Sequence, residues 1–140
     1  MRDKVLVTEP LAEAGLDLLR ACCDVAVRLK PTRDELFGEL DDARALVVRS
    51  ATKVSAEVLA AAERLVVVAR AGAGVDNIDV DAATRRGVMV VNAPDSNTIA
   101  VAEHTMALML CLARPICEAN AETHAGRWEK QRLLGSELRH

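Results

Sequence analysis

The stretch LVVVARAGAGVDNIDVDAATRRGVMVVN, residues 65–92, decides the fold. It opens with a continuous apolar block, Leu65 to Arg70, and closes with another, Val88 to Asn92. Neither block alternates with polar residues, the pattern of a strand covered on both faces. Between them lie a glycine-containing turn and a short helix from Asp79 to Arg86, which Gly87 ends as a left-handed cap. Two strands joined by a helix through short links form a parallel unit with a right-handed crossover.

Toward the N-terminus the same unit repeats. The blocks Lys4–Thr8, Asp24–Val27 and Ala45–Arg49 recur about every twenty residues, with helical patterns between them. Pro10 suits a first helical turn, followed by Leu11, Leu16 and Leu19 at core-facing spacing. Thr32 to Glu35 forms a capping box ahead of Leu36 and Leu40. Ser55 caps a helix carrying Val58, Leu59 and Ala62. The expected fold is α/β: a flavodoxin-like doubly wound parallel sheet of about five strands over residues 1–95. Residues 96–140 read differently. Asn97 or Thr98 starts a long helix with almost no polar face, of a kind normally buried on most sides. Pro115 is expected to kink it near Cys111 to Arg114, and an irregular tail follows from Ala121.

Composition narrows the function. With 140 residues the chain can bury roughly 70% of its unfolded surface. Eighteen basic against 21 acidic residues give a net charge of -3, without a basic stripe, which argues against nucleic acid as a partner. Phe37 and Trp128 are the only aromatics, too few for a base-stacking platform. Cys22, Cys23, Cys111 and Cys117 form no CxxC pair, and no metal site is expected; they read as reduced thiols of a cytoplasmic protein. The apolar run Met106 to Ala113 is too short to span a bilayer, so no membrane partner is expected either.

Ligands of an open parallel sheet sit at the carboxyl ends of its strands. Four loops fall there: Thr8 to Pro10, Arg49 to Thr52, Ala71 to Val75 and Asn92 to Asp95. Gly72-Ala73-Gly74 follows a strand and begins a dinucleotide fingerprint, but Asn77 stands where the third glycine belongs. The alternatives are a turn whose backbone N–H groups face a small carboxylate or phosphate, or a tight turn with no ligand. Arg49-Ser50-Ala51-Thr52 offers a guanidinium, two hydroxyls and N–H groups that can clamp an anion, or else an Arg in a surface ion pair. His104, on the apolar helix, reads as a packed, hydrogen-bonded residue. Asp76, Asp79 and Asp81 lack the glycine and glutamate of a calcium loop and suit helix capping.

The runs Val48 to Val54, Arg70 to Asp79, Ala82 to Val88 and Val91 to Pro94 resemble, in order and spacing, the D-isomer-specific 2-hydroxyacid dehydrogenases. So do Ala102 to Thr105, Leu112 to Ile116 and Gly126 to Trp128. The run Arg49 to Val54 is most similar to the branch acting on 3-phosphoglycerate in serine biosynthesis. The resemblance implies a substrate-binding lobe interrupted by an inserted Rossmann domain that holds NAD. Substrate binding is then expected at Arg49, Ser50, Ala71, Gly72, Ala73, Gly74, Val75 and Lys130. Ala73 stands on the nicotinamide side, where relatives often carry Thr, and Lys130 reaches a partner subunit's active site. Residues 96–140 become an interdomain helix and dimerisation segment, which implies a homodimer.

No G-x-G-x-x-G occurs before Arg139-His140, and no residue here matches the family's catalytic Arg, Glu and His, which lie downstream; none of His104, His124 or His140 holds the catalytic position. The chain alone is therefore expected to be catalytically incomplete. Other readings stay open: another 2-hydroxy or 2-oxo acid such as glycerate or glyoxylate as substrate, or a free-standing ligand- or partner-binding module.

Overall fold

A computed structural model describes residues 2–139 and gives two compact units, Met1–Ser96 and Asn97–His140. In the first unit five strands alternate with four helices: β1 (Lys4–Val7), α1 (Glu13–Cys22), β2 (Asp24–Val27), α2 (Arg33–Leu40), β3 (Ala45–Val48), α3 (Ala56–Ala61), β4 (Val67–Arg70), α4 (Val80–Arg85) and β5 (Met89–Asn92). All pairings are parallel and the order is β2-β1-β3-β4-β5, the flavodoxin-like arrangement, with its reversal between β1 and β3.

Successive residues of each strand enter different layers. Leu6, Leu46, Val48 and Val68 pack with Leu36, Leu40, Val58, Leu59, Ala82 and Ala83 from α2, α3 and α4. Val5, Val7 and Val47 turn to the opposite face and meet Leu16 of α1. That second layer is thin, because α1 is its only helix. Over β5 the alternate positions Met89 and Val91 are 63% and 40% exposed. Cover on both faces, expected from the continuous apolar blocks, holds for β1 and β3 and fails for β5.

Local signals act as the sequence suggests at most helix starts. Thr32 and Glu35 complete their capping box, and Ser55 and Asp79 accept from the N–H groups of Val58 and Ala82. Gly87 ends α4 at φ +69, a conformation costly for any residue with a Cβ. Helix α1 begins at Glu13 and not at Pro10, because Ala12 stays extended while Leu11 packs on the α1 layer.

The second unit holds α5 (Thr98–Ala113) and α6 (Ile116–His124), inclined at 72°. Pro115 breaks the helix where a kink was expected. Arg114 is extended at φ -127 and ψ 134, the conformation that a following proline imposes. The tail, expected to be irregular from Ala121, is helical to His124 and then folds back: Ser136 N–H donates to Ala113 O at 2.8 Å, and Arg132 pairs with Glu118 at 3.0 Å. No residue of α5 is buried, contrary to the expectation for so apolar a helix, and Asn97 caps it without a side-chain bond. His104 is exposed and its ring makes no hydrogen bond among the described residues. No single helix among them is long and apolar enough to cross a membrane.

Candidate functional site

The reversal of strand order opens a crevice at the carboxyl ends of β1 and β3. Thr8-Glu9 leaves β1 there and Arg49 to Thr52 leaves β3. Glu9, 7% exposed, sends its carboxylate into the Arg49–Thr52 turn. Oε1 accepts the N–H groups of Arg49 at 2.8 Å and Thr52 at 2.9 Å, and Oε2 accepts that of Ala51 at 3.0 Å. Thr8 and Thr52 join their hydroxyls at 2.9 Å beside it. Burial pushes the Glu9 carboxyl up, but the N–H groups of Thr52, Ala51 and Arg49 outweigh it and hold the group below the ordinary glutamate value.

These bonds correct one expectation. Three of the turn's N–H groups, read as free to clamp an anion, are already taken. The turn still presents the Arg49 guanidinium and the Ser50 hydroxyl, both exposed and without a partner among the described residues. The surface ion pair weighed for Arg49 does not form among those residues.

The carbonyl side of the same turn is tied to the β4 loop. Asn77 Nδ2 donates to Arg49 O at 2.8 Å and to Thr52 O at 2.6 Å. Arg70 Nε donates to Arg49 O at 3.2 Å, while its Nη1 pairs with Asp76 at 2.9 Å. A Cβ on Gly74 would stand 2.7 Å from Arg70 Nη1 and 2.8 Å from Asp76 Oδ1, so a side chain there would displace the ends of the Arg70–Asp76 pair. Asn77 Oδ1 is buried and has no donor among the described residues.

Ala71 N–H donates to Val48 O and Gly72 N–H to Arg70 O. The N–H groups of Ala73, Gly74 and Val75 meet no acceptor among the described residues. Asn92 Nδ2 holds Ala73 O at 2.6 Å, and Ala93 N–H holds Gly72 O at 3.0 Å, so the β5 loop braces the carbonyl side. Three successive donors of the loop are thus unengaged among the described residues while the carbonyls of Gly72, Ala73 and Val75 are taken, and free backbone donors in a glycine loop suit a small anion. It does not suit a dinucleotide. That fingerprint needs a helix start directly behind the glycines, whereas here Asn77 O accepts from Val54 N–H, Ile78 bridges Val54, and the six-residue α4 starts only at Val80.

Arg49, Ser50 and Ala71 to Val75 are thus brought together. Lys130 belongs to the second unit, where its Nζ lies 5.9 Å from the Trp128 ring centroid. Asp79 caps α4 as expected, and Asp76 instead pairs with Arg70. No cluster among the described residues could hold a metal ion, and the four cysteines are free thiols. Sequence reasoning missed Glu9 and Asn77. An acid at a strand end and an amide in the third-glycine position were visible, but their partners lie far along the chain.

The fold and loops define the class. The chain belongs to the D-isomer specific 2-hydroxyacid dehydrogenases, whose catalytic domain matches residues 5–133. It is 50% identical over 137 residues to the D-3-phosphoglycerate dehydrogenase of Archaeoglobus fulgidus, covering 97% of this chain and 26% of that one. A crystal structure from Pyrococcus horikoshii superposes with a TM-score of 0.83 at 35% identity, covering 98% of this chain and 43% of the other. The NAD+-bound 3-phosphoglycerate dehydrogenase of Entamoeba histolytica gives 0.69 at 29% identity, over 81% of this chain and 40% of that one. The chain spans about a quarter of the length of the curated relatives it matches.

Proposed function

We propose that the Met1–Ser96 unit is the substrate-receiving lobe of an NAD-dependent D-3-phosphoglycerate dehydrogenase, which oxidises 3-phosphoglycerate to 3-phosphohydroxypyruvate in serine biosynthesis. The observation that carries this reading is the three successive N–H groups at Ala73, Gly74 and Val75 without a partner among the described residues, in a loop tied through Asn77 and Arg70 to the turn that presents Arg49. The substrate carboxylate meets those N–H groups, and Arg49 and Ser50 approach its other polar groups. Ala71 and Gly72 shape the approach. Relatives named for this activity support the choice of substrate.

NAD supplies the hydride acceptor. The glycine loop does not form a pyrophosphate site, so Ala73 meets at most the nicotinamide end of a cofactor held by a separate nucleotide-binding domain. General acid–base groups come from the same source, and residues 2–139 bind and orient without transferring hydride. In this reading Asn97–His140 connects the lobes and joins two subunits in a cytoplasmic homodimer, where Lys130 serves the partner's cleft.

An NMR titration of the 140-residue chain with 3-phosphoglycerate tests the reading. Amide shifts at Ser50 and at Ala73 to Val75, larger than those with glycerate and unchanged by added NADH, are expected. Shifts induced by NADH in the glycine loop, or equal responses to glycerate, would sink it.

A further inference from the structure

The Arg49–Thr52 turn already holds an anion, and that anion is part of the chain. We infer that Glu9 is a positioning residue for the substrate site. It is a built-in carboxylate that fixes the turn and bars three of its backbone donors to ligand, so that an incoming acid meets Ser50, the Arg49 side chain and the glycine loop instead. The inference rests on the proposed function, because it takes Arg49 to face substrate.

Three observations carry it. Both oxygens of Glu9 are engaged by main-chain N–H groups, at 2.8, 2.9 and 3.0 Å, the contact pattern of a carboxylate in a backbone nest. No Lys or Arg pairs with Glu9 among the described residues, so peptide dipoles balance its charge. The turn is also gripped from its other side, where Asn77 and Arg70 donate to the carbonyls of Arg49 and Thr52. With three donors held by Glu9 and the carbonyls of Arg49 and Thr52 held by the β4 loop, every peptide of the turn is anchored at one atom or more, and Arg49 is held at both its N–H and its carbonyl. The direction in which Arg49 leaves the backbone is set by that double grip.

Glu9→Ala in the 140-residue chain empties the nest. The expected result is that the Arg49, Ala51 and Thr52 amide signals move and that the affinity for 3-phosphoglycerate falls about tenfold or more. Added formate, a free carboxylate of the right size, then restores both in a saturable way, while chloride at equal ionic strength does not. Glu9→Gln keeps the bulk, loses the charge and occupies the space. It is expected to fold, to bind 3-phosphoglycerate more weakly and to gain nothing from formate.

Unchanged amides and unchanged binding in either variant would overturn the inference. So would loss of binding in Glu9→Ala that formate leaves unrepaired, the behaviour of a residue that merely supports the fold. If Glu9→Ala does not fold, the weakened binding of Glu9→Gln decides. If the unaltered chain ignores 3-phosphoglycerate, the functional reading fails, and recovery of the amide pattern by formate still decides the role of Glu9.

Discussion

A carboxylate that accepts several backbone N–H groups is favoured in its charged form, and this makes Glu9 a stability group as well as a site group. Its folded-state pKa lies below the ordinary value of 4.5. The linked stability is therefore fully present above that value and is lost as pH falls through the lower, folded-state one. Glu9→Gln should remove this part of the acid sensitivity and cost about 1–3 kcal/mol near neutrality. Urea melts of both proteins across the acid range check it, and identical acid dependence would deny Glu9 the role. Asn77 gives a second test. Its Nδ2 serves two carbonyls, so Asn77→Asp sets a carboxylate against two oxygens, and it should destabilise more than Asn77→Ala when denaturation midpoints are compared. At this scale the sequence was half legible. Arg49 and the glycine loop stand out because guanidinium and G-x-G chemistry are local. The side chains of Glu9 and Asn77 act through partners 40 to 43 and 25 to 28 residues away in the chain.

Helix boundaries follow from sequence wherever a short-range bond sets them. Thr32, Ser55, Asp79 and Gly87 are caps that can be read directly, because donor and acceptor stand a few residues apart. The start of α1 was misread because Leu11 is held by the core and not by helix propensity. At Pro115 the rule was right and its strength underestimated. The extended Arg114 separates α5 from α6, so Pro115→Ala should relieve the constraint on that residue and let the helices grow toward each other. Greater far-UV ellipticity at 222 nm is expected, and an unchanged spectrum would place the break in the packing of the tail on Ala113 and Glu118.

The whole chain leaves much apolar surface uncovered. Ile99, Met106 and Leu112 on α5 are 74%, 54% and 89% exposed, and Met89 and Val91 stand open on the sheet. Surface of this kind seeks a partner. Sedimentation should therefore show association that grows with concentration and weakens in Leu112→Lys; a strictly monomeric chain would contradict the proposed dimer. Fold class was legible because strand and helix periods repeat locally, whereas the missing cover over β5 was not, since a hydrophobic run does not reveal what lies on it. The position of β1 carries a last consequence. It pairs with β2 on one side and β3 on the other, so the first strand made is the one on which both halves of the sheet are assembled. During vectorial synthesis the β1-α1-β2 piece emerges early with one edge of β1 bare, and it must wait on the ribosome until Ala45–Val48 has left the exit tunnel. Stalled nascent chains of increasing length should become protease-resistant only past that point, which makes β3 the step that commits the lobe to fold.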